Sequence, residues 1–480
     1  MLSKRYKIIL FYCVSALFVA FNFYFLIRQE TLIVNLLPLV LAVVLTAIIR
    51  LDVLLLVVAF CTPLSLALHN LAEGLPFDMY LPTEPLLFGV LILFLFKLAV
   101  NHGFDKQILK HPVSWALYFY LGWMLVTAIT STMPVVSLKF WLSRIWFLVA
   151  FYFMGILLFR DRKNIYRFVG LYCGAFVLVI FYAWARHFSY GFHNDQAAHF
   201  VMNPFFPDHT SYGAMLAFFI PFLVGLTFFK GYLIKYRLIA GSALLVFVLA
   251  LVLSYTRAAW LSLVFGGLVF GVMKLKLRFR TLFVSALSIL AIVLLFQTQL
   301  LMFLERNNQE SSADLATHIS SMTNVSTDAS NLERINRWSC AIRMFVEKPV
   351  FGWGPGTYMF QYASFQLTKH RTIISTNSAN RGNAHSEYLG PLAESGLLGM
   401  VSFILLAIVV LYVGIHAYSR SREKEIQLIL ISSIIGLVTY LVHGFLNNFL
   451  DTDKASVPFW SFVAIIVVLD FYTKEKELAG

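Results

Sequence analysis

Charge is scarce in this chain. Only 13% of its 480 residues are Asp, Glu, Lys or Arg, and 60% are hydrophobic, with a mean hydropathy of +0.78. A soluble domain carries about 25% charged residues, so a soluble globular protein is excluded. Cysteine is scarce too. There are four, and Cys13, Cys61 and Cys173 fall inside apolar runs, which excludes a disulfide framework. No Gly-Lys-Ser/Thr follows the glycine-rich stretch 352–356, so a P-loop is excluded. His193, His199 and His209 lack the spacing of a zinc site. No sequence repeat of 20–50 residues is found. No small-residue cleavage site follows the apolar run 8–27, which therefore reads as a first membrane span rather than a signal peptide.

What the chain has in abundance is apolar runs of bilayer length, about 17–25 residues. They predict an all-α, polytopic transmembrane bundle of 12–14 spans, near 8–27, 32–49, 51–68, 84–100, 113–130, 140–159, 166–187, 210–229, 236–254, 257–273, 282–298, 396–416, 427–447 and 455–472. The net charge of +13 points to topology rather than nucleic acid, because the basic residues sit in short loops. With the N-terminus cytoplasmic, 23 of the 37 basic residues fall on the cytoplasmic side; eight of the remainder lie in one long loop that the positive-inside rule does not count. Both termini are then cytoplasmic.

The chain divides into N-terminal spans (1–298), a long polar segment (299–395) and C-terminal spans (396–480). The polar segment falls on the outer, periplasmic side. A loop of that length in a compact protein is usually functional or disordered. It holds a Ser/Thr/Asn-rich tract at 307–330, an amphipathic stretch Leu332 to Glu347 with Ile335, Trp338, Ile342 and Phe345 at helical spacing, Pro349, the run Gly352-Trp353-Gly354-Pro355-Gly356, and an expected helix from Tyr358 to Lys369.

Ionisable residues at a membrane boundary are costly, so each is a functional candidate. Arg257 opens a span at the outer face; it either snorkels to headgroups or binds an anion. Arg334 and Trp338 share a helix face, with Arg337 beside them. They belong either to a helix lying on the membrane or to a phosphate site, since guanidinium groups bind phosphate oxygens in pairs. His385, at the end of the loop, is either structural or a base able to take a proton from a hydroxyl near neutral pH. Glu387 and Glu394 are placed to orient it. His209, with Asp208 and Ser211, opens another span at the same face. Lys139 and Arg144 lie near that face, to contact lipid phosphate or to snorkel. Asp451-Thr452-Asp453 offers a pair of carboxylates for a divalent cation, though three-residue matches are common by chance.

Thr256-Arg257 with Trp260, then Arg334 with Trp338 and Pro349-Val350-Phe351-Gly352-Trp353-Gly354-Pro355-Gly356, then His385-Ser386-Glu387-Tyr388-Leu389 running into Ala393-Glu394-Ser395-Gly396-Leu397-Leu398-Gly399, occur in one order within about 254–400. This pattern resembles the O-antigen ligase and polymerase superfamily of bacterial envelope glycosyltransferases. The resemblance implies an inner-membrane enzyme with a periplasmic site, no cofactor, no metal and inverting transfer. It implies that Arg257 and Arg334 hold the diphosphate of an undecaprenyl-linked glycan and that His385 activates the acceptor hydroxyl; the residue reading adds Arg337, Glu387, His209 and Arg144 as accessory candidates. The family often carries Asn after this histidine, where Ser386 stands here.

The acceptor stays open among a lipid A core sugar (ligase), another lipid-linked repeat (polymerase) and a protein hydroxyl (oligosaccharyltransferase), with the ligase type expected. Outside the enzyme class, a lipid-linked glycan transporter is the rival; transporters usually show internal repeats and ionisable residues near the bilayer midplane, which this sequence lacks. A scaffold in an envelope assembly would leave Arg257, Arg334 and His385 dispensable.

Overall fold

A computed structural model describes residues 4–29, 36–70, 79–101, 103–192, 194–275, 329–368, 371, 375 and 382–479. The expected span 282–298, the polar tract through residue 328, His193 and Lys369 lie outside the described residues. The chain is an all-α membrane bundle. Among the described residues, ten helices are long and apolar enough to cross a bilayer, and the only strand pairing is the two-residue ladder Leu66–Ala67 with Tyr80–Leu81. Residues 1–57 form one unit, with the helices Lys4–Gln29 and Leu36–Ile49 and an Arg50–Asp52 ion pair at their C-terminal side. Residues 58–480 form the second.

In the second unit the organising element is the helix Asp453–Ala479. Its middle is apolar on every side (Val463, Ala464, Ile465, Ile466 and Val467 are all fully buried), the pattern of a helix enclosed by others. Lys424–His443 and His209–Phe228 pack close to each other because Gly225 lies against Ser432 and Leu428. Arg257–Lys274 packs on both.

The expected span 51–68 is shorter than read. Its helix stops at Cys61, Pro63 opens a 3-10 turn, and Leu66–Ala67 is extended. The buried Lys454 ammonium explains the stop: it donates to the carbonyls of Thr62 (2.6 Å) and Ser65 (2.8 Å), carbonyls that a continuing helix would have used itself. The neighbouring Asp453 carboxylate accepts from Ser65 and Thr83, both at 2.5 Å.

The segment after residue 329 also departs from expectation in part. The helix Ala329–Glu347 forms, but the face it buries is Asn336, Arg337, Cys340, Ala341 and Met344, whereas Ile342 is 49% and Val346 71% exposed. Small Cys340 and Ala341 allow close approach to Tyr358, Tyr362 and Ala393, and Glu333 neutralises Arg337 inside. The helix expected from Tyr358 to Lys369 is one turn, Tyr358–Gln361, followed by a 3-10 turn, Tyr362–Phe365.

The expected span 396–416 begins seven residues early, within the helix Leu389–Arg420, which breaks at Gly396 (φ +69°). That break frees backbone groups, and the glycine-rich run takes them. Trp353 N–H donates to Ala393 O (3.2 Å), Gly354 N–H to Glu394 O (2.7 Å), and Leu397 N–H to Pro349 O (3.0 Å). A Cβ on Gly352 (φ +65°) would sit 2.3 Å from the Glu394 carbonyl carbon, so the two glycines let two backbones meet.

Candidate functional site

One end of the bundle gathers the turn 254–256, the segment before His209, the helix Ala329–Glu347, residues 382–388 and the loop 444–452. Ser254, Tyr255 and Thr256 link two antiparallel helices, with Tyr255 left-handed (φ +52°). Thr256 Oγ1 donates to His209 O at 2.8 Å, which fastens the start of the Arg257 helix to the start of the His209 helix. Asp208 caps the latter, accepting from Ser211 N–H and Thr210 Oγ1, both at 2.7 Å. The His209 ring stacks on His199, centroids 4.1 Å apart.

His385 is the other described non-glycine residue in left-handed backbone (φ +47°). Such geometry costs roughly 1–3 kcal/mol and persists only where neighbours enforce it. Here its N–H donates to Asn383 Oδ1 (3.1 Å), its carbonyl accepts from Trp338 Nε1 (3.3 Å), and Ser386 Oγ accepts from the Tyr388 and Leu389 amides (3.3 Å each). Burial first, then the charges of Arg334 and Arg337, push its imidazole down to about 4, against the opposing pull of Asp208 and Glu333. It is therefore neutral at physiological pH.

Arg334 acts electrostatically on His385, His209 and His443 alike, and Asp208 acts on the same three. These groups form one cluster, and Thr256, the residue before Arg257, is bonded to it at His209. His443 was not foreseen: it ends an apolar helix, is fully buried, and neither ring nitrogen has a hydrogen-bond partner among the described residues. Its sequence signal was a histidine in the last turn of a span, which spacing alone did not distinguish.

Four expected roles change. Glu387 does not orient His385; its Oε1 accepts from Tyr440 OH (2.5 Å), Phe449 N–H (2.8 Å) and Leu450 N–H (2.9 Å), holding the 444–452 loop instead. Glu394 accepts from Tyr358 N–H at 2.9 Å and so seats the glycine-rich segment. Arg337 is ion-paired with Glu333 at 2.5 Å and lies over the Tyr362 ring at 4.0 Å, so its charge is already matched. Arg144 is in a separate polar cavity, where it donates to Leu450 O, and Lys139 is exposed. Among the described residues no three His, Cys, Asp or Glu side chains are grouped as a metal would require, and Asp453 of the Asp-x-Asp pair is turned to Ser65 and Thr83.

Alongside His385 runs an apolar groove of about 490 Å³, opening at Trp338 and Ser386 and continuing past Leu389, Met400, Ile404 and Ile408. Arg334 with His209, His385 and His443 thus lies at one end of a helical membrane bundle, next to an apolar groove. Residues 242–404, about a third of the chain, match the family model described as O-antigen ligase, and to that extent the chain is similar to the O-antigen ligase superfamily. That match supports a membrane glycosyltransferase of ligase or polymerase type. No curated protein matches the chain.

Proposed function

We propose that the protein transfers a glycan from an undecaprenyl-diphosphate carrier to an acceptor hydroxyl on the periplasmic face of the inner membrane, as an O-antigen ligase. The observation that supports this most is that Arg334 acts electrostatically on both His385 and His209, with Thr256 of the Arg257 helix bonded to His209 O, beside an apolar groove.

In this reading Arg257 and Arg334 hold the diphosphate by paired, charge-assisted hydrogen bonds. The groove beside His385 takes the polyprenyl chain. The acceptor oxygen attacks the anomeric carbon, the bond from that carbon to the phosphate oxygen breaks, and the electron pair leaves with undecaprenyl diphosphate. The hydroxyl proton passes to neutral His385. Because the donor brings negative charge beside Arg334, binding raises the basicity of His385 at the moment a base is required. The arginines stabilise the charge growing on the leaving group where little water competes. One displacement inverts the anomeric centre and requires no covalent intermediate.

The test is reconstitution: purified protein in liposomes with undecaprenyl-diphosphate-linked glycan and a lipid A core acceptor. The expected result is acceptor glycosylation matched by release of undecaprenyl diphosphate, undiminished by EDTA. Glycan movement across the bilayer without any new glycosidic bond contradicts it.

A further inference from the structure

Next to the His385 loop, and sharing Ser386 with the Trp338 groove, lies a second cavity of about 450 Å³. That size is within the roughly 300–1,000 Å³ of small-molecule sites. Its walls come from both motif segments. Pro355 and Gly356 form one side, and Ala384, Ser386 and Glu387 the other, so residues on either side of His385 face into it.

The cavity is polar inside an apolar protein. Arg144 stands in its wall, 6% exposed, in the helix Pro134–Leu148. Its guanidinium lies 5.1 Å from the Phe140 ring centroid and gives one N–H to Leu450 O. An arginine has five such donors; among the described residues no acceptor meets the rest. Asn448 Oδ1, also in the wall, is shielded from solvent and has no hydrogen-bond partner among the described residues. Asp451 adds an exposed carboxylate. Buried polar groups left without partners cost about 1–3 kcal/mol each, so a ligand that pairs them binds at a gain.

The charge balance selects the ligand. Glu387, Glu394 and Asp451 line the same space as Arg144, and three carboxyl groups beside one cation disfavour a phosphate. A neutral polyhydroxylated ring suits it better. Such a ring offers donors to Asp451 and Asn448, acceptors to Arg144, and C–H faces to Phe140, Tyr120 and Tyr358. We propose that this cavity is a sugar subsite that takes one uncharged pyranose residue of the glycan handled at His385. The inference rests on the glycosyltransferase reading for its context, and it replaces lipid phosphate as the partner of Arg144. The pyranose belongs either to the donor glycan or to the acceptor, and the two sources are separable.

Saturation-transfer NMR on the full chain in nanodiscs, with methyl glycosides of a neutral hexose, an N-acetylhexosamine and a uronic acid, tests it. At least one neutral glycoside gives signals, with the uronate weaker. Met359→Trp, which fills the cavity from its rim, lowers those signals at least about fivefold, and Asn448→Ala lowers them too; both are compared at matched thermal midpoints. If Met359→Trp does not fold, Asn448→Ala decides. His385→Ala leaves the signals unchanged, so failure of the transfer mechanism does not mimic failure of the subsite. In the transfer assay Met359→Trp raises KM for the lipid-linked donor if the donor sugar sits here, and for the acceptor if the acceptor does. Absence of sugar signals, signals that persist in both folded variants, or displacement of the glycoside by inorganic pyrophosphate overturns the proposal.

Discussion

The indole Nε1 of Trp338 donates to the backbone carbonyl of His385 at 3.3 Å. This bond joins two segments 47 residues apart and holds a histidine whose backbone is left-handed. It ties the helix that carries Arg334 to the loop that carries the imidazole, so the bond helps fix the separation of the two groups.

Trp338→Phe keeps the half-buried ring and removes the donor. One neutral hydrogen bond contributes about 1 kcal/mol, so the thermal midpoint should fall by only a few degrees. Transfer should fall more, about tenfold in kcat, because the ring of His385 loses its anchor. A variant with normal kcat shows that the bond has no part in placing His385.

The depressed pKa of His385 gives a signed pH dependence. An ordinary histidine titrates near 6.5, and here the folded-state value is about 4. The stabilisation from burying the neutral ring is complete above about 6.5 and is lost as pH falls toward 4. The kcat/KM profile should be flat from pH 8 to near 5 and decline below. Arg334→Gln removes the second-largest cause, so histidine NMR should find the His385 titration higher than in the wild type but still below the ordinary value, since burial remains. A titration that does not move contradicts the proximity of these two groups.

Glu387 distinguishes a structural carboxylate from a catalytic one. Its Oε1 receives three donors. Glu387→Gln retains an oxygen acceptor and should keep most activity. Glu387→Ala strands two buried amides and a buried hydroxyl and should destabilise the protein by about 3 kcal/mol or more. If Glu387→Gln is inactive at normal stability, the carboxylate acts on His385 after all.

Gly352 and Gly396 meet backbone to backbone. A Cβ at Gly396 would lie 2.1 Å from Val350 O, and one at Gly352 2.3 Å from the Glu394 carbonyl carbon. Both also have positive φ. Either residue changed to Ala should cost several kcal/mol through strain and the lost Trp353–Ala393 and Gly354–Glu394 bonds, read as a thermal midpoint lower by ten degrees or more. Near-native stability contradicts the docking of the glycine-rich run on the helix break.

The spans and the order of motifs were legible in the sequence because apolar length and fixed local patterns are local properties. The rest depends on contacts distant in the chain. Lys454 ends the second unit's first helix from almost 400 residues away, and no window of sequence reveals it. The helix Ala329–Glu347 buries Asn336, Arg337 and Cys340 rather than its Ile face because Glu333 and the Tyr362 ring offset the charge of Arg337; hydropathy periodicity assigns such a face to solvent. Glu387 stands two residues from His385 yet faces the 449–450 amides, since adjacency in sequence does not fix side-chain direction. His443 and Asp208 join the cluster only when four separate segments are assembled.

The most direct measurement is the transfer rate of His385→Ala, with Arg257→Lys and Arg334→Lys, in liposomes loaded with undecaprenyl-diphosphate-linked glycan at matched protein levels. The account predicts a loss of at least about 10²-fold for the histidine variant, the usual contribution of a general base, and strong impairment for both lysine variants, whose point charge cannot replace a paired fork. Near-normal transfer by His385→Ala would contradict it.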